Sequence, residues 1–171
     1  MIDPSADRPK PEGPLVIGVG NEIRGDDAAG LRVTRELRTL LKERVRVVDC
    51  PGGVTELLDL WEGRERVYVV DAVQSGGAPG SWLRVPVGKA PLPSTLAGTS
   101  THGLSLASAV ALGQILGRMP KHLVVYGIEA IRFEPGTEPS PEVLRGIGEV
   151  TRALAVELAR PVPDPANLRR S

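Results

Sequence analysis

The chain alternates between short, continuously apolar runs and stretches in which apolar residues recur every three or four positions. The first pattern is typical of buried strands and the second of amphipathic helices. Apolar runs predict strands at 15–17, 45–49, 67–70 and 123–128. Between and after these runs we predict helices on Val33, Leu37, Leu40 and Leu41, at 54–61, at about 102–116, and from Pro141 through a stripe of Val143, Leu144, Ile147, Val150, Leu154 and Leu158. Strands separated by helices indicate a parallel sheet that is covered on both faces.

One connection breaks this alternation. The glycine-rich turn 74–81 leads directly into another strand-like stretch, 82–87, with no helix before it. A crossover between parallel strands needs about a dozen residues, so this strand should run antiparallel. Pro86 would remove a hydrogen bond from a central strand, so the strand should lie at an edge. We therefore predict an α/β fold with three layers, α/β/α, around a mixed, mostly parallel five-stranded sheet whose fourth strand is antiparallel.

Length, charge and composition narrow the class of protein. A chain of 171 residues suits a single domain, which we expect to span 14–160, between a flexible leader (1–13) and a flexible tail (161–171) that offer no continuous apolar face. Lysine plus arginine equal aspartate plus glutamate at 21 each, so no basic field attracts nucleic acid. Neither a signal peptide nor an apolar run of membrane-spanning length is present, and Cys50 is the single cysteine. We expect a cytoplasmic protein without membrane or nucleic-acid partners.

Acidic residues and a histidine are predicted to meet at one edge of the sheet. Asp26 and Asp27 follow the first strand, and Asp71 ends the third. Ligands of open α/β sheets bind beyond the carboxyl ends of the strands, which is where these residues fall. The helix that begins at His102 must run back to feed the fifth strand, so His102 should lie at the same edge. Carboxylate oxygens with an imidazole nitrogen suit nickel, zinc or iron(II), and three protein ligands leave positions for water or substrate.

Structural interpretations of the same residues remain open. An aspartate at a helix start can cap the first turn, and one such cap needs only one of Asp26 and Asp27. Asp71 could bind nearby backbone N–H groups, and His102 could cap its helix or be a hydrogen-bonded histidine of the core. His122 follows Lys121 at the opposite edge and is predicted to be a surface residue.

Two other chemistries fit the sequence less well. Gly18-Val19-Gly20 resembles the start of a dinucleotide-binding loop, but Asp26 and Asp27 would repel a pyrophosphate there. Cys50 could act as a nucleophile partnered by His102, although a lone cysteine after a strand is more often structural. No serine lies in a Gly-x-Ser-x-Gly motif.

At these residues the chain resembles the hydrogenase maturation endopeptidases, which trim the C-terminal extension from the large-subunit precursor of nickel–iron hydrogenases. The resemblance covers about 15–158. Its motifs are the opening Gly-Val-Gly-Asn with Asp-Asp and a closing glycine (18–30), Asp49 with Gly52-Gly53, Asp71-Ala72 at a strand end, and His102 with Leu104 at a helix start. Two departures stand out. Asp27 occupies a position that is glutamate in other members, although aspartate also occurs there in the family, and Cys50-Pro51 interrupts the common Asp-Gly-Gly turn.

The resemblance implies a mixed five-stranded sheet and a metal site. Carried over, the metal-binding and catalytic residues are Asp27, Asp71 and His102, with Asp26 as a cap or a supporting group. The implied metal is Ni²⁺ presented by the precursor, and other divalent ions such as Zn²⁺ or Cd²⁺ could occupy the same site.

The implied function is an endopeptidase that removes the C-terminal extension of the large-subunit precursor after nickel insertion, recognising the bound nickel. The implied partners are this precursor and other hydrogenase maturation factors. Whether the metal is only recognised or also polarises the scissile carbonyl or a water is left open, as is an aspartate acting as general base. The alternatives are a non-enzymatic nickel-delivery or assembly scaffold and a thiol hydrolase built on Cys50.

Overall fold

The computed structural model describes residues 13–51, 53–88, 92–93, 96 and 106–160. His102, Gly52 and most of the expected leader and tail lie outside these residues. The described strands are β1 (Leu15–Val19), β2 (Arg46–Cys50), β3 (Arg66–Val73), β4 (Trp82–Val87) and β5 (His122–Glu129). The described helices are α1 (Ala29–Leu41), α2 (Val54–Trp61), α3 (Leu106–Leu116) and α4 (Pro141–Ala159), and 3-10 turns span Gly25–Ala28 and Lys42–Arg44.

The strands form one mixed sheet in the order β2-β1-β3-β5-β4. β2, β1, β3 and β5 are parallel, and β4 runs antiparallel along β5. β4 lies at the edge, where Pro86 is exposed and its missing N–H costs no ladder hydrogen bond. This architecture confirms the fold class that the sequence predicts.

Helices cover both faces of the sheet. Successive residues of a strand point to opposite faces, so Val69 packs with α2 and α3 whereas Val70 packs with α1 and α4. Trp61 of α2 is fully buried on the first side, and Ile147 of α4 is almost fully buried on the second. The continuous apolar runs of the central strands follow from this burial on two faces. No helix in the described part of the chain combines the length and the apolarity needed to cross a bilayer.

Two details differ from the sequence predictions, and a third lies outside the described residues. β3 continues to Val73, so Asp71 lies inside the strand rather than at its end. Leu40 and Leu144 were expected on buried helix faces but are 60% and 48% exposed. Leu40 lies in the last turn of α1 and Leu144 in the first turn of α4. The predicted third helix is described from Leu106, so its first turn at 102–105 lies outside the described residues.

Candidate metal and catalytic site

The strand order creates a switch point between β1 and β3, the position where open α/β sheets bind ligands. Asp27 reaches this point from the 3-10 turn that follows β1, and Asp71 reaches it from β3. The turn contacts β3 directly. Both carboxylates are buried, with residues 6% exposed, and they interact electrostatically. The structure therefore brings together two residues that are 44 positions apart in the sequence.

Glycines allow this close approach. A methyl group at Gly30 would overlap the carbonyl oxygens of Val19 and Val70, so only glycine lets α1 begin directly against β1 and β3. Gly20 has φ +146°, and a side chain there would overlap the carbonyl oxygen of Asp27. The glycines of the opening motif thus place the backbone of Asp27 against the strand ends.

Asp26 has a different role from its neighbour. Its Oδ2 accepts hydrogen bonds from the backbone N–H groups of Ile131 and Arg132, both at 2.9 Å, and its Oδ1 accepts one from Ser140 at 2.6 Å. Its own N–H donates to the carbonyl oxygen of Arg132. The N-cap of α1 is Ala28, which makes no side-chain capping bond. Of the two roles expected for Asp26, a helix cap or a supporting group, the structure shows the second: Asp26 ties the turn to the segment between β5 and α4.

The electrostatics of Asp71 favour a cation. The pKa of the Asp71 carboxyl is raised to about 8, chiefly by burial and also by the negative charge of Asp27, whereas a hydrogen bond from the N–H of Ala72 lowers it. A divalent cation between the two carboxylates would offset both the lost hydration and the repulsion. Their oxygen atoms therefore fit a hard or borderline metal ion.

The third predicted ligand is His102. His102 lies outside the described residues. Within the described ranges, no group of three His, Cys, Asp or Glu side chains is arranged to hold a metal ion. The described donor set at the switch point therefore consists of Asp27 and Asp71.

The other candidate residues, His122, Cys50 and Asp49, lie in positions that are consistent with structural roles. His122 is the exposed first residue of β5, at the edge opposite the carboxylates. Cys50 ends β2 with no exposed surface, as expected of a structural cysteine. Asp49 accepts hydrogen bonds from the Thr34 hydroxyl at 2.6 Å and forms an ion pair with Arg38 at 2.9 Å, so it links β2 to α1.

Glu129 is a residue that the sequence analysis did not identify. It ends β5 at the carboxyl edge and is only 4% exposed. Its carboxylate accepts hydrogen bonds from the N–H and hydroxyl of Ser75 and from the N–H of Gly76. The sequence did contain a signal for this role: Glu129 is a charged residue at the end of an apolar strand, and the chain has a glycine-rich turn that it could bind. Glu129 and Asp26 thus hold two loops in place at the edge where Asp27 and Asp71 lie.

Fold and site together define an α/β domain with a buried acidic pair at the switch point of a mixed sheet. A family model described as hydrogenase maturation protease matches residues 31–157. The chain belongs to the hydrogenase maturation protease family. The matched region begins at Leu31, four residues after Asp27.

Individual relatives agree with this assignment. The chain is 31% identical over 135 residues to the hydrogenase 2 maturation protease of Escherichia coli, covering 76% of this chain and 82% of that protein. It is 29% identical over 122 residues to the hydrogenase expression/formation protein HupD of Bradyrhizobium diazoefficiens, covering 70% of this chain. That match spans 64% of the HupD protein, slightly less than two thirds of its length.

Solved structures share the fold. The hydrogenase maturating endopeptidase HybD from E. coli superposes with a TM-score of 0.71 at 28% identity, covering 85% of this chain and 91% of that one. A maturation protease HycI from Thermococcus kodakarensis gives a TM-score of 0.66 at 27% identity, covering 86% of this chain and 93% of that one. The α/β architecture is therefore that of hydrogenase maturation proteases.

Proposed function

We propose that this protein is an endopeptidase that removes the C-terminal extension of a nickel–iron hydrogenase large-subunit precursor after nickel has been inserted. Nickel carried by the precursor would be bound by Asp27, Asp71 and His102, so that only a loaded precursor is cut. The observation that carries this proposal is the buried pair Asp27 and Asp71 at the switch point of a chain that belongs to this family.

The raised pKa of Asp71 supports recognition of a cation rather than permanent retention of one. With its pKa at about 8, the carboxyl is largely protonated at neutral pH in the absence of a cation. Binding a cation would release that proton, so affinity should rise with pH up to about 8. Two carboxylates and one imidazole also leave coordination positions for groups of the precursor.

The direction of α3 supports His102 as the third ligand. α3 ends at Leu116, and β5 begins at His122 at its amino end, so the helix runs from the carboxyl edge of the sheet to the opposite edge. His102 precedes the described start of this helix by four residues. Its chain position therefore favours the edge where Asp27 and Asp71 lie.

In this proposal Asp27 and Asp71 orient the metal-loaded end of the precursor, and burial excludes competing water from their oxygens. Bound nickel would supply Lewis acidity toward a carbonyl or a water. The protein's own contribution is the placement of these carboxylates by Gly20, Gly30 and Asp26.

Intact-mass measurement of the precursor tests the proposal. Nickel-loaded and nickel-free precursors are incubated separately with the wild-type chain, and we expect a mass loss only for the loaded form. His102→Ala should abolish that loss, whereas the matched variant His122→Ala should retain it, because His122 is exposed at the opposite edge.

Each alternative has its own outcome in this assay. Equal cutting of both precursors would reject nickel recognition. An intact C-terminus after stable binding of the precursor would instead favour a nickel-delivery or assembly scaffold. Loss of cutting in Cys50→Ala would favour a thiol hydrolase.

A further inference from the structure

A groove separate from the carboxylate site lies along the edge of the sheet. It has a volume of about 470 Å³ and opens between the β4–β5 side of the sheet and the last turns of α4. It is lined by Arg66, Trp82, Arg84, Tyr126, Ala153, Val156, Glu157 and Arg160. Trp82 pairs with Ile128 near the carboxyl end of β5, and Arg66 pairs with His122 at its amino end. The groove therefore runs the length of β5.

The groove is positively charged although the chain has no net charge. Three arginines line it against a single glutamate, Glu157. Arg84 forms a two-pronged ion pair with Glu157, with N···O distances of 2.9 and 2.6 Å, and the hydroxyl of Tyr126 also donates to Glu157. Glu157 is thus occupied by its own partners. Among the described residues, no carboxylate forms an ion pair with Arg66 or Arg160.

The side chain of Arg66 is held against Tyr68. Its Nη2 donates a hydrogen bond of 2.6 Å to the hydroxyl of Tyr68, and its guanidinium carbon lies 5.7 Å from the centre of the Tyr68 ring. The Tyr68 ring and the hydrogen bond fix the guanidinium of Arg66. A fixed guanidinium loses little conformational entropy when it binds a carboxylate.

Apolar surface accompanies these charges. Val156 is 57% exposed and Trp82 is 36% exposed, and both line the groove. The Trp82 ring stacks at a tilt on Tyr126 with centroids 5.8 Å apart, and its Nε1 is fixed by Glu149 at 3.0 Å. Exposed tryptophan and arginine are the residue types that dominate binding energy in protein interfaces.

We propose that this groove docks an acidic segment of the protein substrate, away from the bond that is cut. The inference rests on the proposed function for the identity of that substrate. Charge complementarity carries it: two arginines without an acidic partner among the described residues line the groove together with Trp82, in a chain that is neutral overall. The chain's own residues 161–171 are a poorer occupant, because they contain one aspartate and two arginines.

Binding of the nickel-free large-subunit precursor to the full chain tests this site without any cleavage. Fluorescence anisotropy at low salt would compare the wild type with Arg66→Glu/Arg160→Glu, which we expect to weaken binding by about tenfold or more. The difference should shrink at high salt because exposed charges are screened. The matched control Lys42→Glu/Arg44→Glu makes the same charge change at exposed residues near the β2 edge and should bind as the wild type does.

Further variants keep the test decisive. Arg66→Gln/Arg160→Gln removes the two positive charges without adding repulsion near Glu157. It should weaken binding less than the glutamate variant does, and its Tm should equal that of the wild type. Equal weakening in the groove and control variants, or no weakening in either, would overturn the proposal. Tighter binding by a chain ending at Arg160 would assign the groove to residues 161–171 and would also overturn it. Cleavage of the nickel-loaded precursor by the wild type is measured in a separate assay. Failure of the proposed function can therefore be distinguished from failure of the docking proposal.

Discussion

Replacing Asp71 by asparagine should stabilise the protein while removing its proposed function. Asp71 is 6% exposed, and burial together with the negative charge of Asp27 raises the pKa of its carboxyl from an ordinary value of 3.8 to about 8. Between these two values the folded protein binds more protons than the unfolded chain, so stability falls as pH rises from about 4 to 8. Asparagine carries no such charge, and its oxygen can still accept the hydrogen bond from Ala72.

The magnitude follows from the size of the shift. One pKa unit corresponds to about 1.4 kcal/mol, so the buried carboxyl destabilises the folded state on the order of 4 kcal/mol at pH 7. At pH 4 the wild-type carboxyl is neutral in the folded protein, and the difference between the wild type and Asp71→Asn should nearly vanish. For a domain of this size, 4 kcal/mol corresponds to roughly 10 °C in Tm.

Thermal and urea unfolding of both proteins, measured from pH 4 to pH 9, provides the assay. The matched control is Asp26→Asn, the same substitution at another buried aspartate. The Asp26 carboxylate accepts three backbone hydrogen bonds, and asparagine cannot replace all of them. It should lose about 1–3 kcal/mol. The reasoning is refuted if Asp71→Asn is less stable than the wild type at pH 8, or if its advantage does not change with pH.

Three further predictions follow from the site. Gly30→Ala should destabilise the protein by about 3 kcal/mol or more in urea unfolding, because the added methyl group would overlap two carbonyl oxygens. Gly148→Ala in α4 has room for the methyl group and should stabilise the protein by about 0.5–1 kcal/mol. Equal effects of the two substitutions would contradict the packing argument. Zinc at about 100 times its Kd should stabilise the wild type by about 3 kcal/mol at pH 8 and leave the Tm of Asp71→Asn unchanged, so an equal shift in both would place the metal elsewhere. Cys50→Ala should retain precursor cleavage and lose about 1 kcal/mol of stability through altered packing in the core, and an inactive but folded variant would point to a thiol nucleophile.

The fold was largely predictable because its determinants are local. Continuous apolar strands, helical stripes and the short turn before β4 each leave a pattern in the sequence, and Pro86 marks the edge strand. The sequence also indicated that Asp27 and Asp71 lie at one edge, since the carboxyl ends of parallel strands meet there.

The partners of individual side chains were not predictable. The sequence left Asp26 as either a helix cap or a supporting group, and its three hydrogen bonds come from residues more than 100 positions away. Glu129 was missed for the same reason, because its partners Ser75 and Gly76 belong to a distant turn. Strand ends were also uncertain: β3 extends past Asp71 because it pairs with β5 up to Glu129. Such contacts depend on tertiary packing that no local pattern records.

A crystal structure of the protein soaked with zinc tests the central claim most directly. The account predicts one ion bound simultaneously by a carboxylate oxygen of Asp27, a carboxylate oxygen of Asp71 and a ring nitrogen of His102, each at about 2.0–2.2 Å. An ion held by the two aspartates with His102 out of reach, or an ion bound elsewhere while the pair stays empty, would contradict it.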